Sequence, residues 1–385
     1  MIRKMDKALL ISSVLLLIIG LIMVFSASNV TSFMKFKTTP YYFFNRQLLF
    51  LFVSLFLSVI ILRFNTKSYG FFSSIILLVV VVILIAVLFS GKMVNEARSW
   101  ISIAGIQFQP SEFAKVAMIV WIASLYTMKN KLDIKFYSLL VAVVLVIAGL
   151  IILQPDMGTA VIFLTIVFIM FMSLNFSKKI KRNTIFAIIG FVFFMGFLML
   201  TSNEVRTFFN RQISRMTSFG NPCSEEKFYT TGNQLCNGYI AFNNGGLTGL
   251  GLGNSTQKYL YLPEAYTDFI FAITVEELGL IASIGILLLM FIVLWRIFII
   301  GKRASTDRGK LMCYGVFWYI LLHIIINLGG ATGLIPLTGV PLPFLSYGGS
   351  FLICLVVSLT VVQRVAIETK NAWFYWQIYR IYLKY

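Results

Sequence analysis

Ten stretches of nearly unbroken apolar sequence dominate this chain, and each is about as long as a lipid bilayer is thick. They run over about 8–28, 44–62, 71–90, 110–128, 136–153, 157–174, 184–201, 267–294, 311–328 and 347–363. Runs of about 17–25 apolar residues cross the hydrocarbon core as helices. Backbone groups in lipid must be satisfied within a helix or a closed barrel, and barrel strands would alternate apolar and polar over about 10 residues. The runs here are solid, so helices are expected. Of the 385 residues 59% are hydrophobic and 12% charged, against about 25% charged in a soluble globular chain. The expectation is an all-α polytopic membrane protein, a single domain over 1–385. It has about ten transmembrane helices and a large extracytoplasmic loop, about 202–266, between spans seven and eight. Lys4, Lys7 and Ser26-Ala27-Ser28 imitate a signal peptide and its cleavage site. The apolar run from Ala8 to Phe25 exceeds the usual h-region of about 7–15 residues, so a retained first helix is expected.

The formal net charge of +18 would suit a nucleic-acid binder, but its distribution argues against one. With the N-terminus inside, the inner segments are those up to residue 7, then 63–67, 129–135, 178–182 and 296–310, and everything after 363. They hold 21 of the 32 Lys and Arg. That bias is the positive-inside pattern of a multi-pass protein with both termini cytoplasmic. The tail at about 365–385 mixes Trp373, Trp376, Tyr379 and Tyr382 with Lys and Arg, and reads as an interfacial segment on the inner leaflet.

Ionisable residues at membrane depth cost about 2.5–3.5 kcal/mol each on insertion scales and are functional candidates by default. Glu112 and Lys115 share a helix face at the outer end of span four, either as a self-neutralising packing pair or as part of a site. Asp156 sits at the outer turn between spans five and six, where an N-cap is the structural alternative. Asp268 opens span eight in YLPEAYTDFIFA, where Thr267 or Asp268 could cap the helix. Glu276 and Glu277 lie about 12 Å deeper; neighbours cannot share a face, so at least one needs an interhelical partner. His323, the single histidine, reads as a packed or hydrogen-bonded residue more readily than as a proton shuttle. Arg98, Glu112, Lys115, Asp156, Asp268 and the Gly/Pro-rich loop before Ser346 fall near one face. A lipid-linked substrate at the outer leaflet would require that arrangement. A transporter would instead carry midplane polar groups on paired repeats, and no matching halves are visible.

Cys313 and Cys354 lie within spans as packing residues. Cys223 and Cys236 share the outer loop, where either a disulfide or two free thiols is open; a bridge would contribute roughly 3 kcal/mol to ordering the loop. One His and no CxxC argue against zinc. GLTGLGLGNS at 246–255 lacks the Walker lysine and a βαβ context.

The motifs ARSWISIAGIQFQPSEFAK (97–115), QPDMGTA (154–160), GGLTGLGLGNSTQKYLYLPEAYTDFIFAITVEELG (245–279) and TGLIPLTGVPLPFLSYGGS (332–350) occur in order on the expected spans. In them the chain resembles the SEDS proteins, the FtsW/RodA/SpoVE group, nearly end to end, with wording nearest the division and sporulation branch. The resemblance implies a peptidoglycan glycosyltransferase that polymerises lipid II at the outer face of the bacterial cytoplasmic membrane. It also implies a class B penicillin-binding protein as partner, alongside other divisome or elongasome membrane proteins. A lipid II flippase and a membrane scaffold are the competing readings. Carried over by motif, Asp268 is the expected catalytic base. Arg98, Trp100, Glu112, Lys115, Asp156, Gln257, Lys258, Glu264, Pro343 and Ser346 are the expected substrate-binding residues. Arg206, Arg211 and Arg215 are further candidates to neutralise the diphosphate, a role that a divalent cation (Mg or Mn) could share. The chain departs from the family pattern in Tyr266, where a histidine is usual, and in Glu96, where a glycine is usual.

Overall fold

The computed structural model describes residues 2–90, 92–94, 97–103, 106–128, 134–203, 206, 222–228 and 232–382. Ten long helices correspond to the ten apolar runs. They are α1 (Lys7–Met34), α2 (Tyr42–Arg63), α3 (Tyr69–Ser90), α4 (Pro110–Met128), α5 (Ile134–Leu153), α6 (Met157–Ser173) and α7 (Lys178–Thr201). Two shorter helices, α8 (Glu225–Phe228) and α9 (Asn233–Gly245), lie in the expected loop, followed by α10 (Ile270–Arg303), α11 (Asp307–Ala331) and α12 (Gly349–Tyr382). Eight of the helices are long and apolar enough to cross a membrane, and α6 is a shorter apolar one. Helix α4 carries Glu112 and Lys115 in its first two turns and is a buried inner helix. The chain is therefore a multi-pass helical membrane protein.

The structure adds three features to the sequence expectation. The stretch after α3 is an antiparallel sheet in the order β1 (Lys92–Val94), β2 (Ala97–Ile103), β3 (Ile106–Phe108), with Ile101 opposite Phe108 and Ile103 opposite Ile106. Helix α12 continues without interruption to Tyr382, so the tail expected at the inner leaflet is a helical extension of the last span. Cys223 and Cys236 form a disulfide with their Cα atoms 5.1 Å apart, which decides between the two thiol states.

The chain ends meet at one end of the bundle. Asp6 caps α1 by accepting from the Leu9 N–H at 2.9 Å and pairs with Arg296 of α10. Gln363 of α12 exchanges two hydrogen bonds with the Asp6 backbone, at 2.8 and 3.0 Å. At the opposite end, the Gly/Pro-rich segment 332–348 folds back into the bundle instead of staying above it. Phe344 sits at φ 71° and its carbonyl lies against Gly20 of α1. Exposed backbone is tolerated at membrane depth only when buried in protein, and here Leu342, Phe344 and Leu345 are all buried. Helix α7 stands apart from this core. No residue of its apolar window is buried, and Lys181 and Thr184 in its first two turns tie it to Met172 and Tyr137.

Any side chain at position 20 would occupy the space of the Phe344 carbonyl. Gly20→Val should cost about 1–3 kcal/mol as an overpacked core, read as a lowered midpoint of thermal unfolding in detergent. Gly149→Ala, which meets open space on α5, should leave the midpoint unchanged. Equal midpoints for all three proteins would contradict the re-entrant path of 332–348.

Candidate functional site

Asp268 lies in a run of turns, residues 262–269, that leads into α10. Glu264 holds a left-handed backbone (φ 55°) and its carbonyl accepts from the Thr267 and Phe269 N–H groups at 3.2 and 3.3 Å. No side chain caps α10, so the Asp268 carboxylate is not spent on the helix terminus, contrary to the capping alternative. The backbone around it is held instead. The Tyr266 carbonyl accepts from the Tyr347 N–H at 2.9 Å. The Thr267 carbonyl accepts from the Ser346 hydroxyl at 2.7 Å. The Asp268 carbonyl accepts from Asn327 Nδ2 at 2.8 Å. Three consecutive carbonyls are thus fixed by α11 and the segment that precedes α12.

The same groups also hold the re-entrant segment. Asn327 Nδ2 donates to the Val340 carbonyl at 2.8 Å, and the Leu342 N–H donates to Ser346 Oγ at 2.8 Å. Gln47 of α2 brackets the turn, donating to the Ser346 carbonyl and accepting from Gly348 N–H, both at 3.3 Å. Gly339, at φ 71°, brings its backbone beside Asp268, so that a Cβ there would stand 3.5 Å from Oδ2. Pro343 is buried within this segment. On the other side Thr338 and Val340 pack against Gly158 of α6, which joins Asp156 to the site. Asp156 caps α6 through the Thr159 N–H at 3.2 Å and accepts from Gln109 Nε2 at 2.7 Å. It therefore fills the expected cap and also anchors the residue before α4.

Burial, and then the negative charge of Glu264, push the Asp268 carboxyl up to about 7. Desolvation disfavours a charged carboxylate and a like charge adds to that effect. Glu264 also accepts from the Thr267 hydroxyl at 3.0 Å. Tyr266, in the position where a histidine is usual, is buried against Phe43 and Tyr347 with ring centroids 4.4 and 5.9 Å away. Burial raises its phenol as well. Among the described residues no three His, Cys, Asp or Glu side chains converge as metal ligands.

Glu112 and Lys115 lie deeper and are fully buried. Lys115 Nζ donates to Glu112 Oε1 at 2.7 Å and lies 3.1 Å from His323 Nε2. His323 Nδ1 stands 2.7 Å from the Tyr319 carbonyl. A carbonyl only accepts, so Nδ1 carries the proton and Nε2 offers its lone pair to the ammonium. The single histidine is thus the packed, hydrogen-bonded kind. Tyr319, His323 and Asn327 are spaced i, i+4, i+8 on α11, one helix face running from the buried ion pair to the Asp268 carbonyl.

The remaining expected site residues divide. Trp100 is half-buried on β2, which packs on α3 and α4. Arg98 lies on the same strand, with its side chain outside the described residues, as are Arg211 and Arg215. Arg206 is exposed beyond α7, donating to the Leu200 carbonyl. Gln257 and Lys258 stand away from Asp268. Lys258 Nζ is buried with the Gly253 carbonyl at 2.6 Å, Glu277 at 2.9 Å and Ser26 at 3.3 Å, so all three donors are occupied. Glu276, beside Glu277, accepts from Asn244, Thr256 and Ser255, which answers which of the two acids has a partner: both do. Sequence reading missed Asn327, Gln47 and Arg46. Arg46, one turn into α2, lies over the Tyr42 ring at 4.5 Å and hydrogen-bonds Tyr347. Asn327 carried a visible signal, being a polar residue inside an apolar span.

Comparison with known proteins places this geometry. The model of the family described as cell cycle protein, FTSW_RODA_SPOVE, matches residues 7–371. A Bacillus subtilis protein named "Probable peptidoglycan glycosyltransferase FtsW" is 36% identical over 376 residues, covering 96% of this chain and 92% of the relative. Stage V sporulation protein E of Bacillus subtilis is 36% identical over 94% of this chain and 96% of its own. Two solved structures share the fold. A chain of a peptidoglycan synthase complex superposes with a TM-score of 0.74 at 21% identity, over 95% of this chain and 98% of that one. The rod shape determining protein RodA of Thermus thermophilus gives 0.66 at 22%, over 94% and 96%.

Replacing Asn327 by Leu removes both donors that join Asp268 to Val340. At about 1 kcal/mol per net hydrogen bond, amide exchange in residues 266–269 and 338–342 should accelerate roughly tenfold or more, measured by mass spectrometry. Exchange around Asp6 at the far end should not change. Unaltered exchange in both segments would refute the clamp.

Proposed function

The chain belongs to the FtsW/RodA/SpoVE family, and on that premise we propose that it is a peptidoglycan glycosyltransferase polymerising lipid II, with Asp268 as its catalytic base. The observation that carries the assignment is the setting of Asp268: half-buried, not used as a helix cap, in a backbone whose carbonyls at 266, 267 and 268 are each hydrogen-bonded, with burial and Glu264 pushing its carboxyl up to about 7. A base works best with a pKa near the operating pH.

The reaction is a single inverting displacement. Asp268 takes the proton from the 4-hydroxyl of one GlcNAc, and the oxygen attacks the anomeric carbon of another chain's MurNAc. The bond from that carbon to the diphosphate breaks, and undecaprenyl diphosphate leaves. Cations at the developing negative charge stabilise the transition state, and this role falls to Arg98 and the loop arginines. Lys115 and Lys258 act differently: each is buried and already paired, Lys115 holding α4 against α11 and Lys258 holding the loop against α10. Positive-inside bias puts both chain ends in the cytoplasm and Asp268 at the outer face. The depth agrees. Ser26 of α1 meets Glu277 and lies 19 residues above Lys7, about 28 Å along the helix. That span matches a hydrocarbon core of about 30 Å. The start of α10 at Ile270 is seven residues before Glu277, about 10 Å higher, so Asp268 just before it stands roughly 10 Å above the core, at the height of a sugar carried on a diphosphate headgroup. A class B penicillin-binding protein supplies the crosslinking step, within division or sporulation machinery. Transport of lipid II finds less support, because Glu276 and Glu277, the acids below Asp268 on α10, are consumed by the loop that they anchor.

Purified protein with labelled lipid II, alone and with its transpeptidase, tests the assignment. Wild type should make glycan strands, and Asp268→Asn should lose at least about 100-fold in rate while inserting and unfolding normally. Full-length strands from the mutant would remove Asp268 as the base.

A further inference from the structure

The large loop is not a surface cap. Helix α9 runs down alongside the start of α10: Gly238 packs on the Phe269 ring and Gly245 on the Val275 carbonyl. The chain then turns through the glycine-rich segment 246–253 and climbs back along Glu276 and Glu277 to Asp268. At the turn α10 is broken, with Gly279 at φ 81° and ψ 168°. The broken helix and the loop complete each other's hydrogen bonds. Leu250 and Gly251 N–H groups donate to the Glu276 and Glu277 carbonyls, both at 2.9 Å. Leu280 and Ile281 N–H groups donate to the Gly246 and Leu247 carbonyls at 3.0 and 3.2 Å. Gly249 and Gly279 approach so closely that a Cβ on either would strike the other segment's backbone.

The tip of this hairpin presents leucines outward. Leu247 is 64% exposed, Leu250 44% and Leu252 55%. They are continuous with the outward apolar strip of α10 that begins at Leu280 and Ile281. The tip is level with Gly279, just below the Ser26–Glu277–Lys258 anchor and therefore at the outer edge of the hydrocarbon core on the depth scale set by α1. Thr248 and Asn254 are exposed beside the leucines, which suits the boundary with the headgroups better than the core itself. Tyr259 and Tyr261 project on the ascending limb above the tip, where interfacial aromatic belts lie.

We propose that residues 233–262 form a re-entrant hairpin whose Leu247–Leu250–Leu252 tip inserts into the outer leaflet at the acyl–headgroup boundary, tethering the segment that holds Asp268 to the membrane surface. The occupant of this apolar surface is bilayer lipid. The proposal rests on the same topology as the proposed function, but its readout is independent of catalysis.

The disulfide leaves Cys313 and Cys354 as the other cysteines, both buried, so a thiol introduced at an exposed position can be labelled selectively. Leu250→Cys, Leu252→Cys and Leu334→Cys, each carrying an environment-sensitive NBD probe, are compared in phosphatidylcholine nanodiscs. Leu334 is 78% exposed on the loop after α11, next in sequence to Gly333, which meets Tyr239 of α9, and it reports the level of Asp268. Probes at 250 and 252 should be quenched at least twofold more by 5-doxyl phosphatidylcholine than the probe at 334. Aqueous iodide should show the reverse order. Iodide quenching at 250 and 252 equal to that at 334 would overturn the proposal. Protection from both quenchers would overturn it too, because protein would then cover the tip. These outcomes hold whether or not the protein polymerises lipid II, so failure here leaves the catalytic assignment standing.

Discussion

The hydrogen bonds on the carbonyls of Tyr266, Thr267 and Asp268 are the constraint around which this end of the molecule is organised. A run of turns at a membrane surface has no ladder to hold it, and a base that wanders by about 1 Å can lose about 100-fold in rate. The donors come from Tyr347, Ser346 and Asn327. Two of them belong to a segment that is itself irregular, so that segment must be held in turn. It is wedged against α1 at Gly20, bracketed by Gln47 and joined to α11 at Val340. The site is therefore built from chain lacking regular structure, each piece satisfying the backbone of the next.

Buried charge is handled by the same economy. Removing one partner of a buried pair leaves an unpaired charge and is strongly destabilising; both lysines that are buried among the described residues have a carboxylate and further polar neighbours. Lys115 lies between Glu112 and His323, and Lys258 between Glu277 and the Gly253 carbonyl. Asp268 differs. Its nearest charged influence is another carboxylate, Glu264, which leaves it poised to take up a proton. A group held close to neutrality at a membrane face is suited to transferring protons, and the paired groups around it are suited to staying put.

Much of the architecture was legible in the chain. All ten long helices could be drawn because apolar length against bilayer thickness is a strong signal, although eight of them are long and apolar enough to cross a membrane, and Asp268 stood out by motif. The elements that escaped are those whose order comes from tertiary partners. The β1–β3 sheet is too short to show alternation. Helix α9, NQLCNGYIAFNNG, is polar enough to pass for loop until Phe269 and Val275 at the start of α10 give it a place to dock. Lys258 looked like a substrate cation because nothing in its neighbourhood of sequence announced Glu277 and Ser26 as partners. Asn327 was visible as a polar residue four positions after His323, but its role depends on Val340 and Asp268 arriving from elsewhere.

The pH dependence of polymerisation tests the central claim, that Asp268 is a base tuned by burial and by Glu264, most directly. A base must be deprotonated to work, so the rate should rise with pH through about 7 and level off above it. Glu264→Gln removes the neighbouring negative charge, so it should move that limb to lower pH. The same limb in both proteins, or a rate that falls as pH rises through 7, would contradict the account.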